Sequence, residues 1–351
     1  MALIRQVHGT QAEVAGWVAA DFGIDLVALE PVGHGADVSA QLWRGRTAYG
    51  ASYAVKLGSA DSSGGLVVSA HLVARGIGGV VAPVTSRDGR PWTVRAGRRL
   101  SVLPWAPGER ALLGGMTADH WRSFGRLLSA VHTAEVVAEV TGVLQVEDHR
   151  HDQDVAALRS VVDRVESVAA PVDPDEDLDP LVVSLVREWA AAADVVSALL
   201  EHTEAMGRTV GPSRAAGVIC HGDPHLGNLL VGRSSAVTLV DWGDAVLAPR
   251  ERDLMFLIGG GVLAFAPVTG QQQSWFFEGY GAADLDPGRL AYYRCRRAVW
   301  DLADPAAQVL DADRWSTAQR AEALSTVRGV LSGTGLVRLA VGSATHPGPR
   351  R

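Results

Sequence analysis

The chain has 351 residues, 47% hydrophobic and 20% charged, with a formal net charge of −7. That size predicts two domains or lobes with a sizeable core, and the charge argues against a nucleic-acid partner, whose phosphates demand a basic surface. No stretch reaches the ~18 uninterrupted apolar residues of a membrane span, Met1–Thr10 lacks an export-signal layout, and Cys220 and Cys295 make neither a disulfide framework nor a metal-ligand spacing. The expectation is a cytoplasmic protein with reduced thiols, no membrane partner and room for a cationic small substrate.

In chain order, Thr10 with Glu13 spells a capping box before a short helix carrying Val14, Trp17 and Val18, which ends near Gly23. Ile24–Val32 and Val38–Trp43 read as strands around a tight turn at Gly33-His34-Gly35-Ala36-Asp37, with Arg44–Arg46 as a connection. Ser52–Leu57 is a third strand. Period-two alternation puts Tyr53, Val55 and Leu57 on one face and Lys56 on the other. Leu66–Arg75 reads as a helix stopped by Gly76. Val80–Val84, Trp92–Val94 and Leu100–Leu103 read as further strands, the first two separated by an Asp88-Gly89 turn.

After Pro104-Trp105-Ala106-Pro107-Gly108 the pattern becomes helical. Thr117 is placed to cap a helix with Trp121, Phe124, Leu128 and Val131 on one face, and longer helices are expected over Val155–Ala169 and Leu181–Ala205. Pro171–Pro180, rich in acids and prolines, reads as a solvated loop. Three short strands follow, Val218–Cys220, Leu229–Val231 and Val237–Val240, the last two joined as a hairpin through Gly232–Ser235. Ala344–Arg351 reads as a polar tail.

The chemistry concentrates in His221-Gly222-Asp223-Pro224-His225-Leu226-Gly227-Asn228 and, beyond the hairpin, Asp241-Trp242-Gly243-Asp244. Asp223, Asn228 and Asp241 stand at the ends of short strands, which hold side chains better than loose loops do. Phosphoryl transfer asks a protein for positioning and charge neutralisation. A carboxylate beside an acceptor hydroxyl orients it and takes its proton, which suits Asp223. An amide oxygen and a second carboxylate suit Mg²⁺, a hard ion, which assigns Asn228 and Asp241 to metal. Lys56 is the only lysine in the chain, every other basic side chain being arginine, so a lysine here reads as kept for its chemistry.

The Asp223-to-Asn228 interval equals that of D-x-x-x-x-N in the kinase signature, and Asp241 stands where the D-F-G aspartate would. His221–Asn228 resembles the H-G-D-x-x-x-x-N loop of the aminoglycoside phosphotransferase family, and Asp241-Trp242 its Asp-aromatic metal motif. The tract Ala248–Phe256, with Gly259-Gly260-Gly261, Phe277-Glu278-Gly279-Tyr280-Gly281 and Tyr292-Tyr293-Arg294, is similar to the family's spectinomycin 9-phosphotransferase branch. The likeness runs from Gly33 to about Asp301.

The resemblance implies a two-lobed, protein-kinase-like α+β fold: an N-terminal nucleotide-binding lobe over 1–103, a hinge over 104–108, a helical C-terminal lobe over 109–343, and a tail over 344–351. ATP or GTP is the implied co-substrate, with Mg²⁺. Gly33, His34 and Gly35 would cover the phosphates, Lys56 would pair with the α- and β-phosphates, and Val102, Leu103 and Trp105 would face the adenine. The acceptor implied is an aminocyclitol, spectinomycin first, and Asp244, Glu278, Asp301 and Asp304 are candidate partners for its amines. One departure stands out. Ser62-Ser63-Gly64-Gly65 occupies the region where such kinases place a glutamate that pairs with the lysine, so either Asp61 substitutes or nucleotide alone holds Lys56.

Alternatives remain at this stage: a sister kinase for another antibiotic or metabolite alcohol, a non-catalytic nucleotide-binding module, and a hydrolase. The last would read His221-x-Asp223-x-His225 as transition-metal ligands.

Overall fold

The computed structural model describes residues 9–33, 40–59, 63–147, 152–169, 179–210 and 217–345. In chain order the elements are α1 (Gln11–Phe22), β1 (Ala28–Pro31), β2 (Gln41–Arg46), β3 (Ser52–Gly58), α2 (Gly64–Ala74), β4 (Thr93–Arg95), β5 (Arg98–Pro104), β6 (Glu109–Arg110), α3 (Ala111–Gly114), α4 (Ala118–Thr133) and α5 (Ala138–Thr141). Then come α6 (Asp152–Ala169), α7 (Pro180–Ala191), α8 (Ala193–Thr209), β7 (Val218–Cys220), β8 (Leu229–Val231), β9 (Val237–Leu239), β10 (Val246–Ala248) and α9 (Glu251–Leu254). The chain closes with α10 (Gly270–Tyr280), α11 (Pro287–Val309), α12 (Thr317–Leu331) and α13 (Leu336–Thr345). Contacts divide it into two units, one of Met1–Val146, Val218–Leu247 and Trp275–Gly281, the other of Glu147–Gly217, Ala248–Ser274 and Ala282–Arg351.

The first unit is built on an antiparallel sheet of order β1-β2-β3-β5-β4. β3 is its central strand, with Lys56 opposite Leu42 on one side and Ser101 on the other. Val55 and Leu57 are fully buried with Leu100, Val102 and Trp43 against Val14, Val18 and Phe22 of α1. Each such aliphatic side chain contributes about 1.5–3 kcal/mol. The pleat therefore sends Lys56 to the opposite face, as its alternation requires. The Thr10–Glu13 capping box and the left-handed Gly23 C-cap bound α1 where the sequence places them. Thr117 likewise caps α4, whose Trp121, Phe124, Leu128 and Val131 are buried.

Behind this sheet the unit continues into α4 and a second, three-stranded sheet of order β6-β8-β9. The β8–β9 hairpin pairs Leu229 with Leu239 and Val231 with Val237. Phe276 and Tyr280 of α10 pack on α4, with the Phe124 and Phe276 rings edge-to-face at 5.4 Å and His132 Nδ1 2.7 Å from the Tyr280 hydroxyl.

In the second unit α11 is the central helix. Its Leu290, Tyr292, Tyr293, Cys295, Ala298, Val299, Leu302 and Ala306 are buried, and α6, α8, α12 and α13 pack around it. The Gly259-Gly260-Gly261 run is a turn with all three φ positive, a conformation only glycine adopts without strain. Arg294 closes it. Its guanidinium bonds the Ile258 carbonyl and reaches Ser343 Oγ at 3.0 Å.

Several expectations need correction. Val80–Val84 forms no strand: Pro83 has no N–H to donate, and only the Val84 amide bonds the sheet, to Val102 O at 2.7 Å. Within Ile24–Val32 the strand itself is Ala28–Pro31, with Val27 N–H on Arg46 O at 2.8 Å and Val32 N–H on Leu42 O at 2.9 Å flanking it, and Arg44–Arg46 belong to β2 instead of a connection. The helix expected over Leu181–Ala205 is two, broken at Ala192, where no glycine or proline marks the sequence. Ala344 and Thr345 end α13, while the rest of the expected tail lies outside the described residues, as do His34–Asp37 of the expected phosphate turn, Asp61 and most of the Pro171–Pro180 loop.

Candidate active site

Two short strands and the turns beyond them build the site in the first unit. β7 ends at Cys220 and feeds His221, which is fully buried. Its Nε2 lies 3.0 Å from the Val240 carbonyl, and its Nδ1 accepts the Asp223 amide at 3.3 Å. The imidazole therefore carries its proton on Nε2, and both nitrogens serve the backbone. Gly222 has φ +86°, and any side chain there would overlap the Asp244 carbonyl oxygen and stand 2.8 Å from its carbon. Only glycine passes this point.

The loop then closes on itself. The His225 amide bonds Asp223 O at 2.9 Å, its Nδ1 accepts the Gly227 amide at 2.9 Å, and its Nε2 faces Asp223 Oδ2 at 3.4 Å. Asn228 Nδ2 donates to Asp223 O at 2.9 Å and approaches Oδ2 at 3.4 Å. With its NH₂ committed there, the amide turns Oδ1 the other way. Val240 stitches the loop to the hairpin, its N–H to Asn228 O at 2.9 Å and its carbonyl to His221.

One residue on, Asp241 takes a left-handed backbone, φ 63° and ψ 66°, uncommon for a residue with a Cβ and typical of strained functional positions. Its carboxylate is half exposed, and Oδ1 is 3.0 Å from Lys56 Nζ. Trp242 follows, buried, its Nε1 on Leu239 O at 3.1 Å and its ring edge-to-face with His221 at 4.6 Å.

The structure thus brings Lys56 onto Asp241 and holds Asp223 and Asn228 against each other, with His221 and Val240 tying the two groups together. Lys56 has a counter-charge after all. Asp241, 185 residues along the chain, supplies it. Toward a metal, Asn228 Oδ1 and the Asp241 carboxylate are oxygen donors of the kind Mg²⁺ takes. A transition-metal site on His221 does not fit, because both of its ring nitrogens already bond the backbone.

The remaining predicted residues fall as follows. Val102 is buried in β5, Leu103 pairs opposite Ala54, and Trp105, bonded through its amide to Ser52 O at 2.9 Å, carries the Arg44 guanidinium over its ring at 4.8 Å. Gly33 is the one described residue of the expected phosphate turn. Asp244 is exposed, next to the loop through its carbonyl. Glu278 is held by Arg122 at 2.6 Å, itself bound to Asp119 at 2.9 Å; the Glu278 bond, then the Asp119 bond, raise the Arg122 pKa. Asp301 pairs with Arg297 one helical turn away at 2.8 Å, and Asp304 accepts from Gln308 at 2.8 Å.

Sequence reasoning missed the Val240 backbone and the Trp242–His221 contact, for which the sequence offers no signal. It also missed a cavity of the second unit lined by Asp154, Arg252, Tyr293, Arg296, Arg297 and Trp300. There Arg296 is neutralised by Glu147 and, at 2.8 Å, by Asp154.

A lysine on the central strand of a five-stranded antiparallel sheet, paired with a carboxylate beyond a β-hairpin and followed by a mainly helical part, defines the class: a kinase-like phosphotransferase with an alcohol group as acceptor. Residues 29–299 match the phosphotransferase enzyme family (APH), and the chain belongs to that family. Among solved structures it is similar to spectinomycin phosphotransferase APH(9)-Ia in complex with ADP and spectinomycin, at 24% identity and TM-score 0.84, over 96% of this chain and 99% of that one. It is also similar to the amicoumacin kinase hAmiN (14%, TM-score 0.58, 93% and 95%) and to an ethanolamine kinase of Plasmodium vivax (11%, TM-score 0.55, 93% and 90%). At these identities the likenesses show the fold. No curated protein matches the sequence. No helix among the described residues is long and apolar enough to cross a membrane.

Proposed function

We propose that this phosphotransferase moves the γ-phosphoryl group of ATP or GTP to a hydroxyl of an aminocyclitol, spectinomycin being the first candidate. The observation that carries the nucleotide end is the Lys56–Asp241 pair at 3.0 Å, beside the Asp223–Asn228 loop. Lys56 binds the α- and β-phosphates, and Gly33, His34 and Gly35 cover them. Val102, Leu103 and Trp105 face the base. Asn228 and Asp241 would hold Mg²⁺, which when bound supplies positive charge to the phosphate oxygens.

Asp223 accepts a hydrogen bond from the acceptor hydroxyl and takes its proton as the new O–P bond forms and the nucleoside diphosphate leaves. Its carboxylate is steadied for this by His225 Nε2 and Asn228 Nδ2, each at 3.4 Å. The loop is fixed by His221, so the base is positioned before substrate arrives. Of the four acids expected on the acceptor, Asp244 stands nearest the loop in sequence and through its carbonyl at Gly222.

The sister reading, a kinase for another antibiotic or a metabolite alcohol, is favoured by the breadth of acceptors named among the structural relatives, amicoumacin and ethanolamine included. Purified protein incubated with ATP or GTP, Mg²⁺ and a panel of aminocyclitols, other antibiotics and small metabolite alcohols tests both. The expected result is an acceptor heavier by about 80 Da, the mass of one added phosphoryl group. Phosphorylation of another alcohol instead selects the sister kinase. No transfer to any acceptor, with nucleotide still bound, selects a non-catalytic module.

A further inference from the structure

We propose that Gly65, in the first turn of α2, is the positioning residue that sets Asp241, taking over the coupling that a helix carboxylate would provide. The inference rests on the reading of Asp241 as a magnesium ligand. Three observations carry it. First, the start of α2 has no acidic residue and no side-chain cap, since Ser63 makes no capping hydrogen bond, so no side chain of this turn reaches Lys56 by charge. Second, Gly65 is buried against the backbone of the residue after Asp241. A Cβ there would overlap the Trp242 carbonyl oxygen and stand 2.5 Å from its carbon. A second glycine, Gly64, precedes it, although glycine is the poorest helix former after proline, which marks the close approach as the reason for the choice.

Third, Trp242 has nowhere to retreat. Its indole is buried, with Nε1 on Leu239 O at 3.1 Å and its ring against His221 at 4.6 Å. A group pushed against its carbonyl must therefore rotate the peptide or displace α2. That peptide joins Trp242 to Gly243, and because the indole is held, the displacement passes back through Trp242 to Asp241, whose left-handed backbone is already constrained. Its carboxylate, paired with Lys56 at 3.0 Å, moves with it. The helix after the lysine strand thus speaks to the metal end by a backbone seat instead of an ion pair.

The test reads magnesium dependence, not turnover. Binding of a fluorescent ADP analogue is titrated with Mg²⁺ for the wild type, Gly65→Ala and Gly125→Ala. Gly125 is a control of equal steric severity, since a Cβ there would overlap Phe276 O and lie 2.6 Å from Tyr280 N, on α4 against α10. Loss of a group that orients a metal ligand costs about 10- to 100-fold in metal affinity. Gly65→Ala should therefore raise the Mg²⁺ concentration at half-effect by about that factor, while Gly125→Ala lowers thermal stability and leaves that concentration unchanged. A Gly65→Ala midpoint equal to wild type overturns the inference. So does an equal shift in Gly125→Ala, which would make the effect one of general destabilisation. A wild type without magnesium dependence overturns the proposed function itself, a different outcome. Should Gly65→Ala fail to fold, hydrogen exchange on the wild type decides. Mg²⁺ added to the ADP complex should raise protection over 64–68 and 242–245 together, and protection confined to 242–245 would refute the coupling.

Discussion

Replacing His221 by alanine isolates the physical basis of the site. The imidazole is 0% exposed, and deleting it strands the Asp223 amide and the Val240 carbonyl. Both groups are half-buried, so each left without a partner costs about 1–2 kcal/mol, the lower part of the usual range, and the edge-to-face contact with Trp242 adds roughly 0.5–1.5 kcal/mol. A loss of about 3–5 kcal/mol is expected, read as a lower urea midpoint with unchanged slope. Activity should fall further than stability explains, because Asp223 and Asp241 are no longer tied through Val240. The companion His221→Asn keeps a polar atom at the place of Nδ1. It should recover the Asp223 bond, lose the Val240 bond and land between the two in both measurements. Were His221→Ala to lose under 1 kcal/mol with its turnover intact, the brace would be irrelevant and the account of a pre-positioned loop wrong.

Asp223→Ala should lower kcat by about 10²- to 10⁴-fold, the usual contribution of a general base, with nucleotide affinity largely kept; turnover near wild type would remove Asp223 from its role. Asp21, at the end of α1, binds Arg95 and, at 2.6 Å, the Thr93 hydroxyl, and these bonds, that of Arg95 first, hold its carboxyl below the ordinary value of 3.8. A lowered folded pKa means stability present above 3.8 and lost as pH falls through the folded value. Asp21→Asn should therefore lower the Tm at neutral pH, and the gap should narrow in melting curves taken below about pH 4. Burial pushes the Cys295 thiol up to about 12, and Cys220 is equally enclosed. Native protein should resist a thiol reagent at pH 8 and react at both cysteines once unfolded; rapid native labelling would contradict that enclosure.

How much of this was legible beforehand follows from where the information lies. The capping boxes at Thr10 and Thr117 are local devices written in three or four residues, and α1 and α4 start there. The hairpin of β8 and β9 is equally local, and Asp223, Asn228 and Asp241 take their places from the strands beside them. Lys56 is readable from alternation, since its face follows once Val55 and Leu57 are core.

What escaped is non-local or made of backbone. The pairing of Lys56 with Asp241 closes across 185 residues and has no spacing rule. The seat of Gly65 on Trp242 depends on a carbonyl, which every residue has. Val80–Val84 looks like a strand by composition, yet Pro83 withholds the donor a ladder needs. The break at Ala192, φ −117°, falls in an alanine-rich stretch with no punctuation to betray it. The role of Arg294 over the Gly259–Gly261 turn is likewise a matter of tertiary reach, 33 residues or more along the chain.

The central claim is that Asp241 holds the metal on which nucleotide binding depends. Calorimetric titration of ATP into wild type and Asp241→Ala, with and without Mg²⁺, tests it directly. The account predicts that Mg²⁺ tightens binding in the wild type and does nothing in the variant. An equal gain from Mg²⁺ in both would contradict it.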